Sequence, residues 1–298
     1  MKLRKYGRKG HLITLLAVWV RKLGRIEELI VASDSRLTGG MIWDGCPKIM
    51  TLPRSDCVIA FAGDTAQAYP LMLQLYNSVG AYDASRTRRL DLVQAKTHSI
   101  AVVNELRQNI RDLPYGQGEV DDPNTLFVLA GHSWRRGSFV AWRLRYAKNL
   151  KRFTFAPITG IKGFGKNRLV KFLGDRSFLA TSRLAQLLKE RGRLQSDSLD
   201  MEPLEILISM IQDNGLRSIG GAPQVVKVYK HLNVQSFAIR WPDASGSPHY
   251  FGRPLLAFEN VDVPVLDPWN GYRIDYGHPS RAIGDAQATP EAEEVDDL

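Results

Sequence analysis

The chain has 298 residues, 44% of them hydrophobic and 24% charged, with a formal net charge of +9. That balance fits a globular protein with a substantial core and excludes a compositionally disordered chain. Two cysteines, Cys46 and Cys57, are too few for a disulfide framework and form no CxxC, and none of the six histidines pairs with another at metal-ligand spacing. A reducing, cytoplasmic setting is therefore expected, with no metal or cofactor.

Met1 to Lys9 is basic and Leu12 to Val20 is apolar, which imitates a signal peptide. The apolar run is short, no small-residue cleavage site follows, and Arg21-Lys22 closes it, so a buried strand is the expectation. No stretch approaches the roughly 20 apolar residues that cross a bilayer. Leu12–Val20 and Glu28–Ser35, joined by a polar turn containing Gly24, predict a hairpin. Asp56–Ala62 predicts a third buried strand, ending on Gly63-Asp64. Thr65–Val79 predicts a helix, with Pro70 a strain on its interior unless it falls in the first turns.

Asp91–Arg111 is amphipathic, with Leu92, Val93, Ile100, Val103, Leu106 and Ile110 recurring at threes and fours. After a Gly/Pro-rich loop, Leu113–Asn124, come four expected strands: Thr125–Ala130, Ser138–Tyr146, Arg152–Pro157 and Leu169–Leu173. Two helices follow. One runs over Ser177–Glu190. The other opens near Glu202-Pro203, repeats Leu204, Leu207, Ile208 and Ile211, and ends at Asn214-Gly215. Gln224–Tyr229 and Gln235–Trp241 are the last core strands. Residues 242–287, rich in Pro, Gly and Asp, read as an extended appendage, and the acidic tail 288–298 reads as disordered. Strands, two helices, strands, two helices, strands is an α+β order. Two antiparallel sheets, each covered on its outer side by a helix pair, satisfy it.

Charge is unevenly spread. Residues 134–171 hold eleven Lys or Arg and no Asp or Glu. Such a stretch can bind nucleic acid or an acidic partner. The plainer expectation is solvated strand faces and inter-subunit contacts. Nucleic acid is disfavoured because the six Trp are scattered and form no stacking platform.

The most informative segments are Ile30-Val-Ala-Ser-Asp-Ser-Arg-Leu-Thr38, Pro47-Lys-Ile49 and Val58-Ile-Ala-Phe-Ala-Gly-Asp-Thr-Ala66. They read as three strands that bring an Asp, a Lys and a Gly turn together. Thr14 stands at the head of the strand that pairs with the first of them. In that order and spacing they resemble the proteasome β-type family of N-terminal-nucleophile (Ntn) hydrolases, including its bacterial HslV-like members. The resemblance is strongest from Thr14 to about Leu75, continues in order to about Trp241, and stops there.

The resemblance implies a four-layer αββα sandwich over 14–241 behind a basic leader, 1–13. It also implies a threonine-type peptidase, a homo-oligomeric ring around a chamber, a peptide or unfolded-protein substrate, and in many members an ATPase partner. No membrane partner is expected. It places the nucleophile at Thr14, with the residue's own amine as base, and its supports at Asp34, Lys48, Gly63, Asp213 and Ser218. The chemistry is coherent. Lys48 would lower the hydroxyl's pKa, Asp34 would hold Lys48 charged, and a backbone N–H at side-chain-free Gly63 could approach an oxyanion. An α-amine titrates near pH 8, so it can act as base close to neutrality.

Each residue also has a plain reading. Asp34 can cap a turn, Lys48 can lie on the surface, Thr14 can be a strand threonine, Asp213 and Ser218 can end a helix, and Cys46 can be a small buried residue. The chain departs from the family at three points. Ile13 precedes Thr14 where self-cleaving relatives have Gly. Gly174-Asp175-Arg176 replaces the family's Gly-Ser-Gly. Two extra residues separate Asp213 from Ser218. Initiation at a codon for Leu12 or Ile13 is one way Thr14 would be exposed. The alternative function is a catalytically inactive scaffold or regulatory ring subunit with the leader retained.

Overall fold

The computed structural model describes residues 14–38, 41–111, 113, 120–161, 163–164, 169–259 and 261–276. The leader 1–13, the end of the appendage and the acidic tail 288–298 lie outside the described residues.

The predicted hairpin is present as β1 (Leu15–Leu23) and β2 (Ile26–Ser33), turning at Gly24. Two short strands, β3 (Leu37–Thr38) and β4 (Ile42–Trp43), pair in the following loop. Then come β5 (Ile49–Thr51) and β6 (Cys57–Gly63). Helix α1 (Thr65–Ala81) is N-capped by the Asp64 carboxylate and carries Pro70 as its sixth residue. After the single turn α2 (Asp83–Arg86), α3 (Leu92–Arg107) opens on a capping box of Asp91 and Gln94. That box explains its sharp start. It ends short of the expected Arg111.

Strands β7 (Thr125–Ser133), β8 (Ser138–Ala147), β9 (Arg152–Pro157) and β10 (Val170–Gly174) follow. Helices α4 (Ser177–Glu190) and α5 (Glu202–Ile211) precede β11 (Gln224–Tyr229) and β12 (Asn233–Arg240).

The architecture is α+β. One sheet runs β5-β6-β7-β8-β9, antiparallel throughout. The other runs β10-β1-β2-β11-β12, also antiparallel, and continues past Trp241. There the expected appendage is part of the sheet. Strand β13 (Pro248–Tyr250) pairs with β12, and β14 (Arg253–Pro254) with β13. Strand β15 (Val265–Asp267) runs parallel to β12, and β16 (Arg273–Asp275) pairs with it. The reason is that Ala238–Arg240 extends beyond β11 and presents backbone groups that need partners.

Burial follows the period of two. Along β1 and β2, Leu15, Ala17, Trp19, Ile30 and Ala32 pack with Leu184, Leu188, Leu204 and Leu207 of α4 and α5. Their neighbours Leu16, Val18, Leu29 and Val31 pack instead with Val58, Ala60, Ala62, Leu126 and Val128 of the other sheet. The opposite face of that sheet sets Ile59, Phe61, Phe127 and Leu129 against Met72, Leu75, Val79 and Val103 of α1 and α3. Stretches covered on both faces carry apolar residues at every position, which is why residues 15–20 of β1 and all of β6 read as unbroken apolar runs. No helix among the described residues is long and apolar enough to cross a membrane.

Candidate active site

Asp34 follows the last residue of β2 and is fully buried, as are Lys48 and Thr14. Its Oδ1 accepts hydrogen bonds from Lys48 Nζ at 3.0 Å and from the Leu15 amide at 3.0 Å. Its Oδ2 accepts from the Gly220 amide at 3.2 Å and the Arg36 amide at 3.3 Å. One carboxylate thus joins the start of β1, the residue before β5, and the loop before β11. Desolvation outweighs the pull of Asp34 and depresses the Lys48 pKa below the usual lysine value.

Lys48 is aimed by its backbone. Its amide donates to Gln224 Oε1 at 2.9 Å, and Gln224 Nε2 donates to the Cys46 carbonyl at 2.7 Å. The Lys48 carbonyl accepts from the Phe61 amide at 3.1 Å, and Tyr69 Oη donates to the Pro47 carbonyl at 3.0 Å. The loop before it is clipped by Arg36, whose Nε and Nη2 donate to the two carboxylate oxygens of Asp44 at 2.7 and 2.8 Å. Cys46 is buried beside Lys48, and burial raises its thiol pKa, which makes it a small core residue and a poor nucleophile.

Thr14 immediately precedes β1. Its Oγ1 is buried and has no hydrogen-bond partner among the described residues, and its φ of 142° is strained for a β-branched residue. The Thr14 carbonyl accepts from the Asp175 amide at 2.7 Å. Glycine is required at 174: a Cβ there would lie 2.1 Å from the Thr14 carbonyl oxygen and 3.2 Å from the Ala62 side chain. The end of β6, the end of β10 and Thr14 therefore meet at one point. Gly63, next to Ala62, has φ of 114°, a region open to glycine, and sits opposite Thr125.

Ser218 and Asp213 separate. Ser218 Oγ donates a short hydrogen bond to Asp175 Oδ2, which ties Ser218 to the residue that holds the Thr14 carbonyl. Asp213 instead accepts from Arg183 at 2.7 Å and from the Gly215 amide at 3.0 Å. Arg183 holds its carboxyl below the usual carboxylate range. Helix α5 ends at Ile211, a turn earlier than expected, and the loop that follows carries Asp213 to α4 rather than to Asp34.

Two residues here escaped the reading of the sequence. Asp175 stands where the resemblance expects a serine, and its place directly after a strand-ending glycine is the usable signal. Gln224 opens a buried strand as a polar residue, which marks a side chain with a fixed partner. Ser218→Ala is expected to weaken any chemistry at Thr14 by about 10–100-fold, the size of losing a supporting contact. Asp213→Asn is expected to change it less than about twofold. Matched rate measurements on the two variants check the reassignment.

No protein-family model matches the chain, and the comparison with curated proteins finds no match.

Proposed function

We propose that this chain is a proteasome-like, threonine-type amide hydrolase, a peptidase that uses Thr14 as nucleophile on a four-layer αββα Ntn sandwich. The observation that carries the reading is the Asp34 carboxylate, which holds Lys48 and the amide next to Thr14 on the same oxygen. A buried Lys–Asp pair adds little to stability and is better explained by a task. The layer order fits the residues that pack on each face of the two sheets.

In this reading the Thr14 α-amine, once freed from Ile13, takes the hydroxyl proton as Oγ1 attacks the substrate carbonyl carbon. The oxyanion is met by the Gly63 amide, and Lys48 supplies positive charge beside the developing alkoxide. Collapse breaks the C–N bond, and the amine hands its proton to the leaving nitrogen. Water then hydrolyses the ester by the reverse use of the same amine. Asp175 and Ser218 position the Thr14 main chain. As the resemblance implies, the working form is a homo-oligomeric ring in the cytoplasm that cuts peptides or unfolded chains, with an ATPase partner as feeder.

A second reading is favoured by one observation: Thr14 is fully buried, and its nitrogen is bonded to Ile13. With the leader kept, the chain would be an inactive ring scaffold. Intact mass and N-terminal sequencing of the native protein, followed by β-lactone labelling, separate the two. A chain starting at Thr14 and labelled there supports the hydrolase. A chain that keeps its leader and takes no label establishes the scaffold.

A further inference from the structure

The basic stretch does not simply coat the surface. Arg143 and Arg145 lie two residues apart on β8, opposite Val128 and Leu126 of β7. Lys171 of β10 lies opposite Val18 of β1. Val128, Leu126 and Val18 all belong to the core between the two sheets. Side chains paired across antiparallel strands share a face. Three cations therefore occupy the face that the period of two reserves for apolar packing.

They converge on a cavity of about 770 Å³ that Lys148 also lines, together with Thr125 and Gly174, and that, among the described residues, no Asp or Glu lines. Lys148 is already paired with Asp122 at 3.0 Å. Arg143 Nε is buried and, among the described residues, has no hydrogen-bond partner, a donor that an incoming anion would satisfy. The cavity adjoins the site through two of its lining residues: Gly174 abuts the Thr14 carbonyl, and Thr125 pairs with Gly63.

We propose that this cavity is a subsite for carboxylate side chains, so that the chain selects peptides with Glu or Asp within about three residues of the bond to be cut. An extended peptide rises about 3.3 Å per residue, so such a side chain lies about 7–10 Å from the scissile carbonyl, inside a cavity of this size. Guanidinium groups favour carboxylates through charge-assisted, bidentate hydrogen bonds. Base stacking is not offered here: the Tyr146 ring is flanked by Arg107 at 4.4 Å and by Phe153 at 5.6 Å, and Phe172 is buried. The cutting itself rests on the hydrolase reading; the binding does not.

The test is equilibrium binding of two fluorescein-labelled octapeptides to the full chain, one alternating Glu and Ala, the other Gln and Ala. The Glu peptide is expected to bind at least about tenfold tighter, as hydrogen bonds to charged groups imply. Arg145→Glu with Lys171→Glu is expected to remove that preference. Arg25→Glu with Lys189→Glu, an equal charge change at two exposed positions outside the cavity lining, is expected to keep it. Arg145 is exposed, so Arg145→Gln alone gives a second, milder variant, with about a threefold loss.

Equal binding of the two peptides overturns the proposal, as does a preference that survives both cavity variants or falls equally in the remote one. A single-stranded RNA octamer that binds as tightly as the Glu peptide, and is lost in the same variants, reassigns the cavity to nucleic acid. Binding does not pass through the Thr14 hydroxyl. Intact β-lactone labelling without Glu preference therefore removes the subsite alone, and Glu preference without labelling removes the hydrolase alone.

Discussion

Asp34→Ala is expected to lower the stability of the folded chain by about 3–5 kcal/mol, read as a shift of the urea midpoint. The substitution strands Lys48 as a fully buried cation and removes the acceptor of the Leu15 and Gly220 amides. Lys48→Met is expected to cost less, because Asp34 keeps three backbone donors. Asp34→Asn with Lys48→Met is expected to recover part of the loss, since both charges then disappear together. The pair also sets a pH dependence. Burial depresses the Lys48 pKa, so between its folded-state value and the ordinary lysine value the unfolded chain holds a proton that the folded chain has released. Stability of the natural chain relative to Lys48→Met should rise with pH across that window and be flat below it. A double variant as unstable as Asp34→Ala would show that something other than charge holds this corner together.

Thr14→Ala is expected to abolish β-lactone labelling and to reduce peptide hydrolysis by at least about 10³-fold, while the unfolding midpoint moves by the equivalent of less than about 1 kcal/mol. The asymmetry comes from the Thr14 surroundings. Its hydroxyl is buried with no partner among the described residues, so none of their hydrogen bonds is lost when it is removed. The β-branched side chain also sits on a backbone at φ of 142°, and alanine eases that crowding. Thr14→Ser should retain the chemistry. Hydrolysis that persists in Thr14→Ala would remove Thr14 from the mechanism.

Much of this was written in local pattern. Gly63 after an unbroken apolar strand, Asp34 at the end of another, and the two helix pairs follow from periods of 2 and 3.6 and from caps such as Asp91 and Gln94. What the sequence hid depends on where distant loops land. Nothing local says that Asp213 turns toward Arg183, since the choice depends on how far α5 continues past Ile211. Strands of two or three residues such as β14 and β15 carry no period at all, and β15 pairs in parallel with a partner 27 residues earlier (Val265 with Ala238). The inward cations were legible in principle. Trp142-Arg143-Leu144-Arg145 alternates as a half-solvated strand does, and both faces of that strand had to be placed before the charged face proved to be the inner one.

The carboxylate of Asp34 has consequences for time as well as for geometry. Two of the groups that complete its surroundings, the Gly220 amide and Gln224, lie 186 and 190 residues further along the chain. A polypeptide emerging from the ribosome can form its first hairpin long before those residues exist. It cannot assemble the Asp34 corner until α4 and α5 have emerged and β11 has docked beside β2. Such distant closure is slow. Any reactivity that depends on this corner is therefore withheld from the nascent chain until Gly220 and strand β11 have been made and docked.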